Sequence, residues 1–342
     1  MNKLPNVIVF RSFIGTSVEM SRLNLSKYAG LKEKSFVGTS NLKFTNNVAT
    51  SCLMLTAVML FWSLGIIVAK GVFESVNPIG FSFWRWVVAA AILTPCVLSE
   101  FIRQRKAIFR KWSYFLLLGM FMAGGSTMLM WSVQYTTATN VALFSASQPM
   151  VTAFMTWVVL KDIPTRLQVS GMMTALLGII AMATRMDANV LFNLTFNLGD
   201  FFVLLAVLFY SLYSINLHRW FADVPPFQMM YLTVLAGMVI LIPFYAYELQ
   251  SLGGFHPSPK VCAAIVFMAA IPTIVATTMW NISVGVVGAN RASIFLNLLP
   301  LFGIAMAVSF LNETLFKYHL VGAFLICLGI TAVVWPQESL KS

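Results

Sequence analysis

The chain is 342 residues long, 59% hydrophobic and only 10% charged, with a formal net charge of +11. An ordinary soluble domain carries about 25% charged residues, so this much apolar surface cannot be hidden in water-soluble cores and lipid must cover the excess. The surplus of base does not point to nucleic acid, because the basic residues cluster beside apolar runs, as they do at cytoplasmic membrane flanks.

In chain order, the first segment is a basic tail. Lys3, Arg11, Arg22, Lys27, Lys32, Lys34 and Lys43 stand there against Glu19 and Glu33, among many Ser and Thr. It lacks an apolar core followed by a small-residue cleavage site, so the first span is expected to act as an uncleaved anchor. Residues 1–48 read as a disordered extension, as a start assigned too early, or as an organelle transit peptide sharing this composition.

Ten apolar runs follow, near 49–70, 79–99, 112–133, 138–160, 167–185, 199–218, 227–247, 261–284, 289–311 and 318–335. Each approaches the ~20 residues needed to cross a hydrocarbon core of roughly 30 Å. They are continuous rather than alternating, which favours helices over a β-barrel. Short connections favour antiparallel neighbours in a bundle. With the N-terminus inside, seventeen of the 22 basic residues fall on the inner side and four on the outer, while Arg85 lies within a span. That bias predicts a multi-pass protein of the cell (inner) membrane with both termini cytoplasmic.

The four cysteines, Cys52, Cys96, Cys262 and Cys327, all fall in apolar runs without metal-ligand spacing. They read as buried small hydrophobes, so no metal and no disulfide framework is expected.

The chain also repeats itself. At an offset of 148, Leu60–Leu64 matches Leu208–Leu212, Pro78 falls on Pro226 and Pro95 on Pro243. At an offset of 151, Ala138 falls on Ala289, Pro149 on Pro300, Asp162 on Glu313, Gly171 on Gly322 and Gly178 on Gly329. The prolines, glycines and acids are rare enough in apolar sequence to make duplication the better explanation. An odd number of helices per copy forces opposite orientations, the arrangement that permits two states related by pseudo-symmetry. The predicted fold class is therefore an all-α membrane protein of ten transmembrane helices as two inverted five-helix repeats. The repeats occupy 49–185 and 199–335, and 336–342 form a short tail.

The ordered set Phe61-Trp62-Ser63-Leu64, Phe83-Trp84-Arg85, Thr136–Asn140 through Pro149, and Leu160-Lys161-Asp162 leading to Gly171 and Gly178 resembles the EamA-type repeat of the drug/metabolite transporter superfamily. The second copy is similar in Gly288–Ser293 through Pro300 and in Asn312-Glu313. The resemblance covers about residues 49–335. It implies ten helices, cytoplasmic termini, a central cavity between the repeats and transport by alternating access. The family pattern has Gly-Glu at the ends of the fourth and ninth spans. Here Lys161-Asp162 and Asn312-Glu313 keep the acid and lose the glycine, which puts the tight turn in question.

Arg85, between Trp84 and Trp86, lies about six residues into the second span. A charge at such depth costs at least about 2.5–3.5 kcal/mol on insertion scales, so it reads as an anion contact facing a cavity. Snorkelling to the interface beside belt tryptophans is the alternative. Asn140, Ser147 and Gln148 form a polar stripe in the fourth span ahead of Pro149, and Asn290, Ser293 and Asn297 another in the ninth ahead of Pro300. Each stripe reads as cavity lining, with interhelical hydrogen bonding as the alternative. Trp62 and Tyr210 occupy equivalent repeat positions near mid-membrane and could stack on a solute or simply pack. Gln134, Trp280 and Asn281 complete the candidate lining. Asp162 and Glu313 read as structural, capping the helices that follow, rather than as proton-coupling groups. Gly171, Ala175 and Gly178 suit close helix packing, as does Gly124-Gly125.

No GxxxxGK[ST] loop occurs, and the histidines His218, His256 and His319 are scattered, with no HExxH or GxSxG. ATP is then not the direct energy source, and hydrolytic chemistry lacks its groups. The reading is a secondary transporter, working as an exporter of small organic solutes such as amino acids or related metabolites. A membrane-embedded enzyme and a non-transporting scaffold are the alternatives. No cofactor is expected. The expected partners are a small-molecule substrate and the lipid bilayer, with a homodimer allowed and nucleic acid excluded.

Overall fold

The computed structural model describes residues 47–193, 195–221, 224–254, 257–311 and 314–334. Among them, ten helical spans are long and apolar enough to cross a membrane, and no strand occurs. The first five are α1 (Val48–Lys70), α2 (Pro78–Arg110), α3 (Trp112–Tyr135), α4 (Ala138–Ser145 and Gln148–Leu160) and α5 (Arg166–Ala183). After a short connecting helix, Ala188–Phe192, come α6 (Leu198–Phe221), α7 (Pro226–Leu252) and α8 (Pro259–Val287). Then α9 runs as Ala289–Ser293, Ile294–Leu298 and Leu299–Leu311, and α10 as Lys317–Val334. Ten crossings bring Val48 and Val334 to one end of the bundle, here the tail end; the opposite is the far end.

Local chemistry sets the starts. The Asn47 side chain accepts from the Ala49 N–H and caps α1. Proline stands in the first turn of α2, α7 and α8, where its missing N–H costs nothing. Thr165 and Gln168 form a reciprocal capping box at α5. This corrects the expectation for Asp162, which is exposed and does not cap α5. A hydroxyl at the residue entering the helix reaches the free N–H groups better than an acid three positions earlier. Glu313, the repeat equivalent, lies outside the described residues.

The turn after α4 survives the loss of its glycine. Lys161 takes the left-handed conformation itself, at φ 59°, and its N–H closes onto the Trp157 carbonyl. α2 runs past the expected span end to Arg110. Its extension carries the cations Arg103, Arg105, Lys106 and Arg110, which a connecting loop was expected to hold. Glu100 pairs with Arg103 and accepts from Gln104 one turn on, the spacing that sustains a solvated helix.

The bundle is apolar outside and partly polar inside. Leu53, Ile66, Leu177 and Phe324 are more than half exposed, while Ser63, Thr152, Ser211, Asn281 and Ser283 are buried. Cys96, Cys262 and Cys327 are exposed and Cys52 is partly so, contrary to the expectation of buried cysteines. With hydrocarbon around the protein, a small apolar residue gains as much by facing outward as inward.

The two halves are inverted copies. α2 packs on α7 and α5 on α10, each with its own equivalent. The contact of α3 with α6 is matched by that of α8 with α1, and α4 on α6 by α9 on α1. The helix breaks are duplicated too: α4 opens at Ala146–Ser147 just before Pro149, and α9 tightens to a 3-10 turn over Ile294–Leu298 just before Pro300. Proline supplies no N–H and disfavours helical geometry in the residue before it, so both breaks fall where the sequence places them.

Candidate functional site

Between the halves lies a cavity of about 260 Å³. Its walls come from α1, α2, α3, α4, α6, α8 and α9, so both copies contribute. Along α1 the lining runs up to Ala69, next to the last residue at the far end. Towards the tail end it stops at Ser214, Trp280 and Leu296, about two turns short of the helix ends.

At the level of the cavity floor the helices are tied together. Ser63 donates to the Leu299 carbonyl at 3.1 Å, Tyr213 donates to Asn281 Oδ1 at 3.0 Å, and the Thr152 and Ser211 hydroxyls meet at 2.9 Å.

Small residues place the large ones. A Cβ on Gly237 of α7 would stand 2.1 Å from the Trp86 ring, so α7 must be bare there for Trp86 to lie flat beneath the cavity wall. A Cβ on Gly125 of α3 would stand 3.1 Å from the Tyr210 ring and one on Gly124 2.7 Å from the Phe209 ring, so the pair seats both. The Gly124-Gly125 pair thus seats side chains of α6, which goes beyond the backbone approach expected of it.

The wall of α8 is unusual. Over Ala269–Ala276 its turns widen to π-helix around Pro272. The widened turns expose carbonyls, which the Thr273 and Thr277 hydroxyls fill by reaching back to Met268 and Pro272. Pro272 also accepts from the Trp62 indole N–H at 3.1 Å, across the boundary between the copies. Trp62 packs in turn on Trp280, with centroids 5.4 Å apart and planes tilted by 40°. This gives an aromatic wall held by one hydrogen bond and one ring contact.

Among the described residues, Arg85 is the only charged one lining the cavity. It sits seven residues, or roughly 10 Å of helix, inside the far end of α2. Its guanidinium lies 6.0 Å from the Trp86 ring centroid, and its buried Nε has no hydrogen-bond partner. The buried carboxylates of the described residues are engaged elsewhere. Glu248 of α7 accepts from the Ile79 and Gly80 N–H groups at 3.1 and 2.6 Å, holding the start of α2. Asp200 of α6, fully buried, accepts from Thr136 Oγ1 at 2.6 Å, from Asn140 Nδ2 at 3.1 Å and from the Asn197 N–H at 3.0 Å.

Of the residues proposed from sequence, the cavity brings together Trp62, Arg85, Gln148, Tyr210 and Trp280. The others do not line it. Asn140 is turned to Asp200, and Ser147 donates to Phe144 of its own helix. The break in α4 separates the two, so the expected single stripe is divided. Gln134 is exposed near the far end of α3. Asn281 is held by Tyr213 just below the cavity, and Asn290 and Asn297 are buried near the tail end of α9. Asp200 and Glu248 were not foreseen, although an acid inside an apolar run is itself a signal.

Comparison with known proteins places this geometry. The model of the family described as "EamA-like transporter family" matches residues 49–184 and 197–335. An "Uncharacterized transporter YyaM" of Bacillus subtilis is 27% identical over 282 residues, 81% of this chain and 91% of that protein. An "Uncharacterized transporter" of Archaeoglobus fulgidus is 23% identical, covering 82% of this chain and 84% of its own. A solved crystal structure superposes with a TM-score of 0.71 at 15% identity, covering 86% of this chain and 99% of that one, which shows a shared fold.

Proposed function

We propose, from the premise that this chain belongs to the EamA-like transporter family and is a membrane transporter, that it exports small organic solutes of the size of amino acids and related metabolites by alternating access. The observation that carries this reading is the cavity itself. It lies between two inverted copies, is lined by one cation that no described carboxylate pairs, reaches the far end beside α1 and stops short of the tail end. Inverted repeats can exchange conformations, and the exchange would open the tail side while closing the far side. The duplicated breaks in α4 and α9 supply places where helices can bend. The positive-inside bias supports a cell membrane location with the tail end cytoplasmic, and export on this reading is movement from the tail side outward.

The test is solute counterflow with the purified full chain in proteoliposomes, using a metabolite panel with Arg85→Ala as the control. Saturable flux that Arg85→Ala abolishes supports the reading. No flux for any solute from folded, reconstituted protein overturns it. Thiol labelling from either side of the membrane, at cysteines placed in the 71–76 and 161–165 connections, tests the orientation.

A further inference from the structure

The cavity is chemically lopsided. One cation, Arg85, faces it, and no Asp, Glu or Lys is among the described lining residues. The buried acids among the described residues, Asp200 and Glu248, are hydrogen-bonded to helix starts and amides elsewhere. Three lining hydroxyls donate to carbonyls of their own helices: Ser126 to Ala123, Thr273 to Met268 and Thr277 to Pro272. The remaining surface is mostly aromatic and aliphatic, from Trp62, Trp86, Trp280 and Tyr210 to Met122 and Leu299.

We infer that the substrate is an aromatic monocarboxylate whose ring lies on the Trp62–Trp280 wall and whose carboxylate meets Arg85, and that zwitterionic or cationic molecules of the same shape are rejected. The inference rests on the transporter reading and narrows it. Size supports it: an apolar cavity of about 150 Å³ holds benzene, so about 260 Å³ takes a ring plus a short carboxylate-bearing chain. Shape supports it, since ring faces and edges in the wall favour an aromatic ligand. Charge decides it. A single guanidinium matches a single carboxylate through paired hydrogen bonds, and Arg85 is half-buried, lines the cavity and makes no salt bridge with a described carboxylate. A phosphate dianion would need a second cation. An ammonium would have to leave water for a lining without a carboxylate, and ring faces and neutral oxygens only partly offset that loss.

Three molecules on one skeleton make the test: 3-phenylpropanoate, phenylalanine and 2-phenylethylamine, with neutral 3-phenylpropanamide as a reference. Binding to the full chain in nanodiscs is followed by quenching of tryptophan fluorescence, and transport by counterflow. The expected result is 3-phenylpropanoate binding at least about tenfold more tightly than phenylalanine, with 2-phenylethylamine not binding. Arg85→Gln should lose about tenfold or more for 3-phenylpropanoate and much less for 3-phenylpropanamide, while Arg85→Lys retains part of the preference. Equal or tighter binding of phenylalanine, or an Arg85→Gln variant that keeps its affinity for 3-phenylpropanoate, overturns the inference. If the acid does not bind but other metabolites show counterflow, the inference fails and the transporter reading stands. If nothing is transported by folded protein, the transporter reading itself fails.

Discussion

Gly171 of α5 lies so close to Gly329 of α10 that a Cβ built on Gly171 would stand 2.7 Å from the Gly329 carbonyl oxygen. One turn-pair along, Gly178 meets the Gly322 carbonyl at the same 2.7 Å. Since Gly171 is the repeat equivalent of Gly322 and Gly178 of Gly329, the pseudo-twofold axis passes through this contact. The obstructing atoms are backbone and cannot swing aside.

Gly171→Val and Gly178→Val should therefore separate α5 from α10. Overpacking of this kind costs about 1–3 kcal/mol. The expected outcome is a lower midpoint of thermal unfolding and a lower yield of monodisperse protein. Gly303→Ala on α9 is the control, because a Cβ there meets nothing within 4 Å. It should be neutral or stabilise by up to about 1 kcal/mol.

Asp200 should be the costliest single polar residue to remove at the far end. Asp200→Ala strands the Thr136 hydroxyl, the Asn140 amide and the Asn197 N–H together, with a loss of about 1–3 kcal/mol or more. Asp200→Asn keeps part of the network and should fall between Asp200→Ala and the wild type in thermal midpoint. Equal midpoints for all three would show that the network is not holding α6 to α3 and α4.

Trp62 combines a hydrogen bond and a ring contact, and two substitutions separate them. Trp62→Phe removes the N–H but leaves the Pro272 carbonyl its Thr277 partner, so stability should fall by less than about 1 kcal/mol. Trp62→Ala also removes the packing on Trp280. Aromatic pairs contribute about 0.5–1.5 kcal/mol, so solute affinity should weaken roughly two- to tenfold relative to Trp62→Phe. Titration of both variants by tryptophan-fluorescence quenching checks the order.

Lys161 offers a stabilising change. Its left-handed backbone costs a non-glycine residue about 1–2 kcal/mol, so Lys161→Gly should raise the thermal midpoint, by somewhat less after glycine's own entropy is counted.

The bilayer made much of the fold legible in the sequence. A span must be continuous and apolar, so its run stands out, and duplicated prolines and glycines then reveal the inversion. Gly171 and Gly178 were readable because only close packing explains small residues at that spacing in an apolar helix. Arg85 was readable because a charge is rare at its depth. Asn140 was not, since its partner is Asp200, 60 residues away. Glu248 serves helix α2 from 169 residues away. Linear periodicity gives the face of a helix but not the neighbour on that face. It also assumes unbroken helices, and the interruption at Ala146–Ser147 changes the direction of everything before it.

The solitary charge of Arg85 has an electrical consequence. On the alternating-access reading, the empty cavity carries one positive charge, and a cavity holding a monoanion carries none. When the barrier moves from one side of Arg85 to the other, that charge need not travel, because the field is redistributed around it. A full elementary charge shifted across 100 mV corresponds to about 2.3 kcal/mol. The loaded carrier should cross over with little regard for the membrane potential, leaving the return of the empty carrier as the step that feels the voltage.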